Sequence, residues 1–289
     1  MSITCRAARL LRFASRRRSS SAVFGALLLA LAAGRAQAVT VSPTALYISA
    51  RNPSGLLTLI NSGARPEEIE IGFGFGYAGF DTSAAIRVTV VDSAPGGEPA
   101  ATSWLRAFPR RLLLQPGQRQ IVRITVVAPM GLNDGEYWGR VLIKSRGGEP
   151  PIEQTQGQVK MQLNVETTFA TAVFFQKGDL TTGVSVTGSS ARRVKDAVQF
   201  TIDLQRQGNA AFLGRVRAEV VDSAGKVWGS EEDVTAVYRG LRRRFTIKGE
   251  TPLPSGPLVV RYLVDTDRPD LPSIGPVHAS AVTGMTPVQ

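Results

Sequence analysis

Few side chains in this sequence are suited to chemistry. His278 is the only histidine, Cys5 is the only cysteine, and no G-x-S-x-G motif is present, so neither a Ser-His-Asp triad nor a zinc ligand set can be assembled. Asp265, Asp267 and Asp270 are closely spaced, but the glycine and the terminal glutamate of an EF-hand loop are missing. The sequence therefore predicts no catalytic residue, no metal site and no cofactor, and a protein that is not an enzyme.

Much of the positive charge lies in residues 1–38. The formal net charge is +11, but seven arginines and no acid fall in this segment, so the remainder carries only +4. A basic start, an apolar run from Ala22 to Ala33 and the small residues Ala36 and Ala38 predict a signal peptide cleaved after Ala38. We expect export to the periplasm, no nucleic-acid partner, and no integral membrane segment after cleavage. An uncleaved anchor is the alternative, and both the general and the twin-arginine routes are open.

Short apolar runs between glycines and prolines predict an all-β protein. The chain has 29 glycines and 17 prolines, and no long stretch shows a helical period. Segments such as Glu67–Phe75 and Val198–Leu204 alternate between apolar and polar residues, as half-buried strands do. About seven such segments fit in residues 39–175, and similar alternating segments recur in residues 176–289. This predicts two β-sandwich domains in tandem, joined by a short connector at residues 176–179.

The longest alternating segment runs from Val159 to Phe175. It is longer than an ordinary strand, which predicts a strand that is bent, shared between two cores or not fully used by its own sheet. The preceding residues, Arg146 to Gln158, are polar and contain glycine and proline, so they are predicted to form a mobile loop.

Several motifs resemble the periplasmic chaperones of pilus and fimbria assembly, the chaperone–usher type. The resemblance covers most of residues 39–175 and is looser over residues 176–280. The motifs are Val41-Ser42-Pro43-Thr44, Leu57-Thr58-Leu59-Ile60-Asn61, Trp104 to Ile124 with its PGQRQIVRI ending, Asp134-Gly135-Glu136-Tyr137, Arg206-Gln207-Gly208-Asn209 and Val237-Tyr238.

This resemblance implies two immunoglobulin-like domains arranged as a boomerang, and a chaperone that lends a strand to a secreted fimbrial or pilus-like subunit. The donor side chains would be Val159, Met161, Leu163 and Val165, and an outer-membrane usher would be a further partner. Two alternatives stay open. These four side chains could fill the core of the first domain, and the protein could be a structural or adhesive tandem sandwich of the cell envelope.

The resemblance also implies a pair of cations that bind the carboxylate at the end of the subunit. The arginine expected after Pro43-Thr44 is replaced by Ala45, and the lysine expected near the end of the long strand is replaced by Ala172. Both expected cations are therefore missing. Arg51 and Lys177 are the candidate replacements.

Overall fold

A computed structural model of the chain describes residues 39–80, 84–147, 166–249 and 252–289, together with the backbone of residues 152–156 and 159–163. The predicted signal peptide, residues 1–38, lies outside the described residues. No helix among those described is long and apolar enough to cross a membrane.

The described part of the chain is almost entirely β-strand. One short 3₁₀ helix, Thr102–Trp104, interrupts the first half. The strands of the first half are β1 (Val39–Ser42), β2 (Ala45–Ser49), β3 (Ser54–Asn61), β4 (Glu67–Gly74), β5 (Ala78–Phe80), β6 (Ile86–Val88), β7 (Leu105–Phe108), β8 (Arg111–Leu114), β9 (Arg119–Val126), β10 (Gly135–Arg146), β11 (Ile152–Gln156), β12 (Val159–Leu163) and β13 (Glu166–Lys177). The strands of the second half are β14 (Thr182–Val194), β15 (Ala197–Gly208), β16 (Phe212–Asp222), β17 (Val227–Val237), β18 (Gly240–Lys248), β19 (Leu258–Asp265) and β20 (Val282–Pro287).

Two sheets face each other in the first half. One has four strands in the order β1-β3-β9-β7, and the other has five in the order β2-β13-β10-β4-β8. The chain changes sheet at Pro43, so that β1 and β2 are edge strands of different sheets. A proline suits such an edge position, because it has no N–H to donate to a neighbouring strand. Among the strand pairs that the structure describes, only that of β2 with β13 is parallel.

The second half is a seven-stranded sandwich. A sheet in the order β14-β15-β18 packs on a sheet in the order β17-β16-β19-β20, the strand number of an immunoglobulin-like domain. The predicted all-β class, with two immunoglobulin-like sandwiches in tandem, is confirmed.

Each sandwich has its own apolar core. Leu57, Ile71, Ile124 and Ile143 are fully buried in the first core, and the second core includes Phe200 among its largest buried side chains. Because the only cysteine lies in residues 1–38, the two cores are held without disulfides. Burying one such side chain contributes about 1.5–3 kcal/mol.

The predicted strand from Val159 to Phe175 is two strands in the structure. Residues 166–177 form β13, which pairs with β10 from Glu166 opposite Arg146 to Lys177 opposite Gly135. β10 ends at Arg146 opposite Glu166, and the described residues of β12 pair with β11 instead. Only part of the predicted segment therefore pairs within the five-stranded sheet. The predicted loop over residues 146–158 was wrong where β10 ends and where β11 lies.

A third apolar cluster joins the two sandwiches. It includes Trp138 and Phe174 from the first and Ala211, Leu213 and Tyr238 from the second. These side chains cover the face of the five-stranded sheet that points away from the first core. We name this set, with Phe75 and Ala172, the junction cluster.

A buried carboxylate fastens the same junction. Glu136 is only 3% exposed. Its Oε1 accepts hydrogen bonds from Trp138 Nε1 at 2.9 Å and from the Ala211 backbone N–H at 3.1 Å, and its Oε2 accepts one from Gln176 Nε2 at 3.0 Å. Burial raises the pKa of this carboxyl, although the three donors oppose the shift.

Asn61 plays a comparable role in the first sandwich. Its side chain is fully buried. Nδ2 donates to the backbone carbonyl oxygens of Arg65 at 2.7 Å and Leu114 at 2.9 Å, while Oδ1 accepts from the Gly63 N–H at 2.9 Å. The side-chain amide of Asn61 therefore links the turn after β3 to the end of β8 by hydrogen bonds.

Asn61→Asp is expected to lower the free energy of unfolding by about 2–4 kcal/mol, because an oxygen would face two carbonyl oxygens in place of the amide donor. Urea unfolding at neutral pH measures the change. The exposed Asn52→Asp is the control and should change the free energy of unfolding by less than about 0.5 kcal/mol. An equal effect of the two substitutions would contradict the role assigned to Asn61.

Glu136→Gln tests the buried carboxyl through the pH dependence of stability. The folded state holds the proton at a pH where the unfolded state has already released it, so protonation favours the folded wild type. The stability of wild type relative to Glu136→Gln should therefore increase as the pH falls from 7 towards the ordinary value of 4.5. Urea unfolding across this range measures the difference.

Asp270→Asn provides a control of opposite sign, because the hydrogen bonds from Arg268 lower the pKa of Asp270 below 3.8. The difference in unfolding free energy between Asp270→Asn and wild type should stay constant between pH 7 and 4.5. It should become smaller at lower pH, where Asp270 of the wild type is protonated. If the difference in unfolding free energy between wild type and Glu136→Gln does not change with pH, the Glu136 carboxyl of the wild type titrates as an ordinary exposed group does.

Candidate functional site

The most prominent candidate is an unpaired strand edge. β2 pairs with residues 172–176 of β13, and among the residues that the structure describes no strand pairs with the same side of residues 166–171. The Ala172 N–H donates to the Thr44 carbonyl oxygen at 3.1 Å, so the even-numbered residues of β13 direct their backbone groups to this side. Glu166, Thr168 and Ala170 thus present unpaired N–H and C=O groups along the edge.

The edge leads into a separate two-stranded ribbon. β11 and β12 pair with each other, with Ile152 opposite Leu163 and Gln156 opposite Val159, and they belong to neither large sheet. An isolated two-stranded ribbon is at best marginally stable in water. The backbone groups of residues 159–163 therefore have a partner that another strand could replace.

The predicted donor residues map to this ribbon. Val159, Met161 and Leu163 belong to β12 by their backbone. Val165 lies outside the described residues, as do the side chains of the other three. The assignment of these four as donors stays a prediction.

The two positions expected to carry cations are neighbours in the sheet. Ala45 lies opposite Ala172 in the parallel pairing of β2 with β13. Ala172 lies opposite Arg140 of β10, and Arg140 lies opposite Gly74 of β4. These residues form one row across the outer face, and the cation in this row is Arg140. Sequence reasoning missed Arg140, because alternation shows that it shares a face with Trp138 but not which strand lies beside it.

Arg140 is half-buried. Its Nε donates to the Gly76 carbonyl oxygen at 2.8 Å. Burial is the main cause of the raised pKa of Tyr238, and the nearby Arg140 opposes that rise. Ala172 and Ala45 have only methyl side chains; Ala172 is buried in the junction cluster, and Ala45 is half-buried beside it.

Aromatic rings occupy the space beyond the two alanines. Tyr47 of β2 stacks on Phe174 with ring centroids 4.9 Å apart, and Phe174 stacks on Tyr238 at 6.2 Å. The Tyr47 hydroxyl is buried and has no hydrogen-bond partner in the described part of the chain. Burial raises the pKa of Tyr47, and the nearby Glu136 raises it further. The hydroxyl therefore keeps its proton and is a donor without an acceptor.

The two cations suggested from the sequence lie away from this row. Arg51 is exposed in the turn that follows β2, at the opposite end of that strand from Ala45. Lys177 ends β13, and its Nζ donates to the Leu132 carbonyl oxygen at 2.7 Å and to Asp134 Oδ1 at 3.0 Å. This hydrogen-bonded ion pair lowers the pKa of Asp134.

The residues considered for chemistry remain dispersed. Over the described ranges, no group of three or more His, Cys, Asp or Glu side chains is placed to hold a metal ion. Asp265 and Asp267 both bind Arg215, at 2.9 and 2.6 Å, while Asp270 binds Arg268 at 2.6 Å. The acidic segment is thus neutralised by arginines of its own sandwich.

No family model matches the sequence, and no curated protein matches it. Solved structures do match. The CupB2 chaperone of Pseudomonas aeruginosa is 14% identical, with 86% of this chain and 100% of that chain covered and a TM-score of 0.39. A Salmonella enterica SafA pilin–SafB chaperone complex matches at 14% identity, 87% and 98% coverage and a TM-score of 0.43.

A third match is the CsuC–CsuE chaperone–tip subunit complex from the Csu pili of Acinetobacter baumannii, at 12% identity, 86% and 97% coverage and a TM-score of 0.41. The identities are low, so what this chain does has to be inferred from its own residues. Over most of its length, the chain is similar to chaperones of fimbria and pilus assembly.

Proposed function

We propose that this protein is a periplasmic chaperone that binds a secreted fimbrial or pilus-like subunit by strand pairing at the edge of β13. The observation that carries the proposal is the unpaired edge at residues 166–171, which continues into the ribbon of β11 and β12. The chaperone acts without catalysis and without a cofactor, and an outer-membrane usher is a further proposed partner.

Pairing at this edge would provide affinity for a partner strand and would fix the register of that strand. A partner strand would pair with the backbone groups of Glu166, Thr168 and Ala170, which face away from β10. Pairing of this kind provides main-chain hydrogen bonds, and alternate side chains set the register. A partner with an incomplete sheet of its own would satisfy its unpaired backbone groups at the same time.

The ribbon supplies the second part of the mechanism. We infer that β12 exchanges β11 for a strand of the subunit and extends the pairing beyond Glu166. Val159, Met161, Leu163 and Val165 would then enter apolar pockets of the subunit. Each fully buried side chain contributes about 1.5–3 kcal/mol, and the sum offsets the cost of separating a marginal ribbon.

Arg140 is the proposed cation for the carboxylate at the end of the subunit. A partner strand in line with β2 would end beside Ala45, because β2 itself occupies the edge from Ala172 onward. Arg140 lies in that row, next to the buried methyl group of Ala172. It would exchange a neutral carbonyl acceptor, that of Gly76, for a charged one, and charge-assisted hydrogen bonds are the stronger kind.

A structural or adhesive role in the cell envelope is the competing function. It requires that the edge of β13 has no partner protein. The experiments below separate it from the chaperone role.

Ala170→Pro should abolish partner binding while leaving the fold intact. The N–H of Ala170 faces the open edge, so a proline removes an edge donor without breaking the ladder with β10. Tagged wild type and variant are exported in the native host and purified, and co-purifying proteins are quantified by mass spectrometry. We expect a small, secreted, β-rich protein with wild type and at least tenfold less of it with Ala170→Pro.

Ala170→Ser keeps the N–H and should retain the partner as wild type does. The double variant Met161→Asp, Leu163→Asp should lose the partner through the ribbon. Cooperative melting of every variant is checked first. If no such partner appears, or if it binds all variants equally, the chaperone proposal is wrong and the envelope role is favoured.

Arg140→Gln, Lys177→Gln and Arg51→Gln compare the three candidate cations. Arg140→Gln should reduce retention of the partner at least tenfold, because a carboxylate would lose its charge-assisted hydrogen bond. The other two substitutions should leave retention within twofold of wild type. The same quantitative purification measures all three.

A loss of retention confined to Lys177→Gln or Arg51→Gln would move the carboxylate site to that residue. Retention that is unchanged in all three variants would show that the subunit is bound without a cation. Neither outcome affects the strand-pairing proposal, which rests on Ala170.

A further inference from the structure

The outer face of the four-stranded sheet is basic and partly apolar. Its outward side chains include Arg106, Arg119 and Arg123, and the strands β1, β3, β7 and β9 contain no acidic residue. Three large apolar side chains on this face are exposed, Phe108 at 80%, Leu56 at 51% and Ile121 at 47%. We name these six residues the basic face.

The register of the strands orders these side chains. Arg123 of β9 lies between Leu56 of β3 and Phe108 of β7. Along β9, Arg119, Ile121 and Arg123 alternate with the half-buried Gln120 and the buried Val122, so they follow one another on one face at intervals of about 6.6 Å. The strand thus presents cation, apolar group and cation in a line.

The charge of the basic face is not neutralised by the chain. Among the described residues, no carboxylate pairs with any of its three arginines. Arg106 donates to the carbonyl oxygens of Ser103 and Leu105, and Arg119 donates to the Thr58 hydroxyl at 3.4 Å. These acceptors are neutral, so the full positive charge remains.

The outer face of the five-stranded sheet differs. There Arg111 of β8 pairs with Glu70 of β4 at 2.8 Å, and Arg146 of β10 pairs with Glu166 of β13. Charges of opposite sign thus face each other across neighbouring strands and compensate one another. The uncompensated charge therefore belongs to the basic face in particular.

We propose that the basic face binds the acidic surface of a partner protein. The partner would present carboxylate, apolar group and carboxylate at alternate positions of an extended segment, matching Arg119, Ile121 and Arg123. Guanidinium groups bind carboxylates through two parallel hydrogen bonds. Leu56 and Phe108 flank Arg123 and would exclude water from that pair.

The basic face matches a protein surface better than an anionic lipid membrane. Basic segments that bind anionic membranes carry about four to eight clustered cations, more than this face provides. Serine and threonine side chains of β1, β3 and β9 also lie between its apolar groups. The basic face is on the opposite sheet from the edge of β13, so the proposal does not depend on the chaperone proposal.

The test uses a synthetic β-hairpin that carries Glu-Thr-Leu-Thr-Glu on one strand, titrated into the signal-cleaved protein by calorimetry. The matched hairpin has Gln in place of both Glu residues. We expect the acidic hairpin to bind at least tenfold more tightly than the amide hairpin, with an affinity that falls as salt is added. Backbone NMR shifts should map its contact to Leu56, Ile121 and Arg123.

Arg123→Gln and Phe108→Ala should each weaken binding of the acidic hairpin at least fivefold. Arg261→Gln is the control, because Arg261 is exposed on the second sandwich but paired with Glu219, and it should bind as wild type does. Equal binding of the two hairpins, binding unaffected by Arg123→Gln, or no binding would overturn the proposal. Binding only to vesicles that contain phosphatidylglycerol would also overturn it and identify a lipid surface.

Discussion

The pairing of β10 with β13 is the constraint on which the rest of the structure depends. Its register places Arg146, the last residue of β10, opposite Glu166, so β10 pairs with β13 from Glu166 onward. The described residues of β11 and β12 pair with each other, and residues 166–171 keep one side without a described partner strand. The same register aligns Arg140 with Ala172, and the parallel pairing of β2 adds Ala45 to the row. One set of backbone hydrogen bonds thus positions the edge, the ribbon and the row.

The fold was largely predictable, because alternation is a local signal. The core residues of β4, β9 and β15 follow from their period of two. The alternation at Val159–Phe175 did not show which of its residues pair with which strand, because where β13 begins depends on where a distant partner, β10, ends. The row at Ala45 and Ala172 followed from the family resemblance, whereas Arg140 could not be found, since alternation does not reveal which strands are neighbours.

The junction replaces charge with aromatic packing. Where the resemblance implies two cations on the outer face, the chain has two alanines beside the stacked rings of Tyr47, Phe174 and Tyr238. Apolar surface, the buried carboxylate of Glu136 and the ion pair between Glu98 and Arg239 join the sandwiches. Offset and stacked rings contribute beyond their buried area, so this junction is expected to be rigid. A rigid junction suits a protein whose binding edge and second sandwich must keep one relative position.

The change of sheet at Pro43 has a consequence for the order of folding. β2 lies early in the sequence, yet its neighbour in the sheet is β13, with Ala45 beside Ala172. Contacts between residues so far apart in the sequence are costly to close and slow to form. β2 can pair with β13 only once residues 172–176 are available. The pairing of β2 with β13 is therefore expected to form late in the folding of the first sandwich.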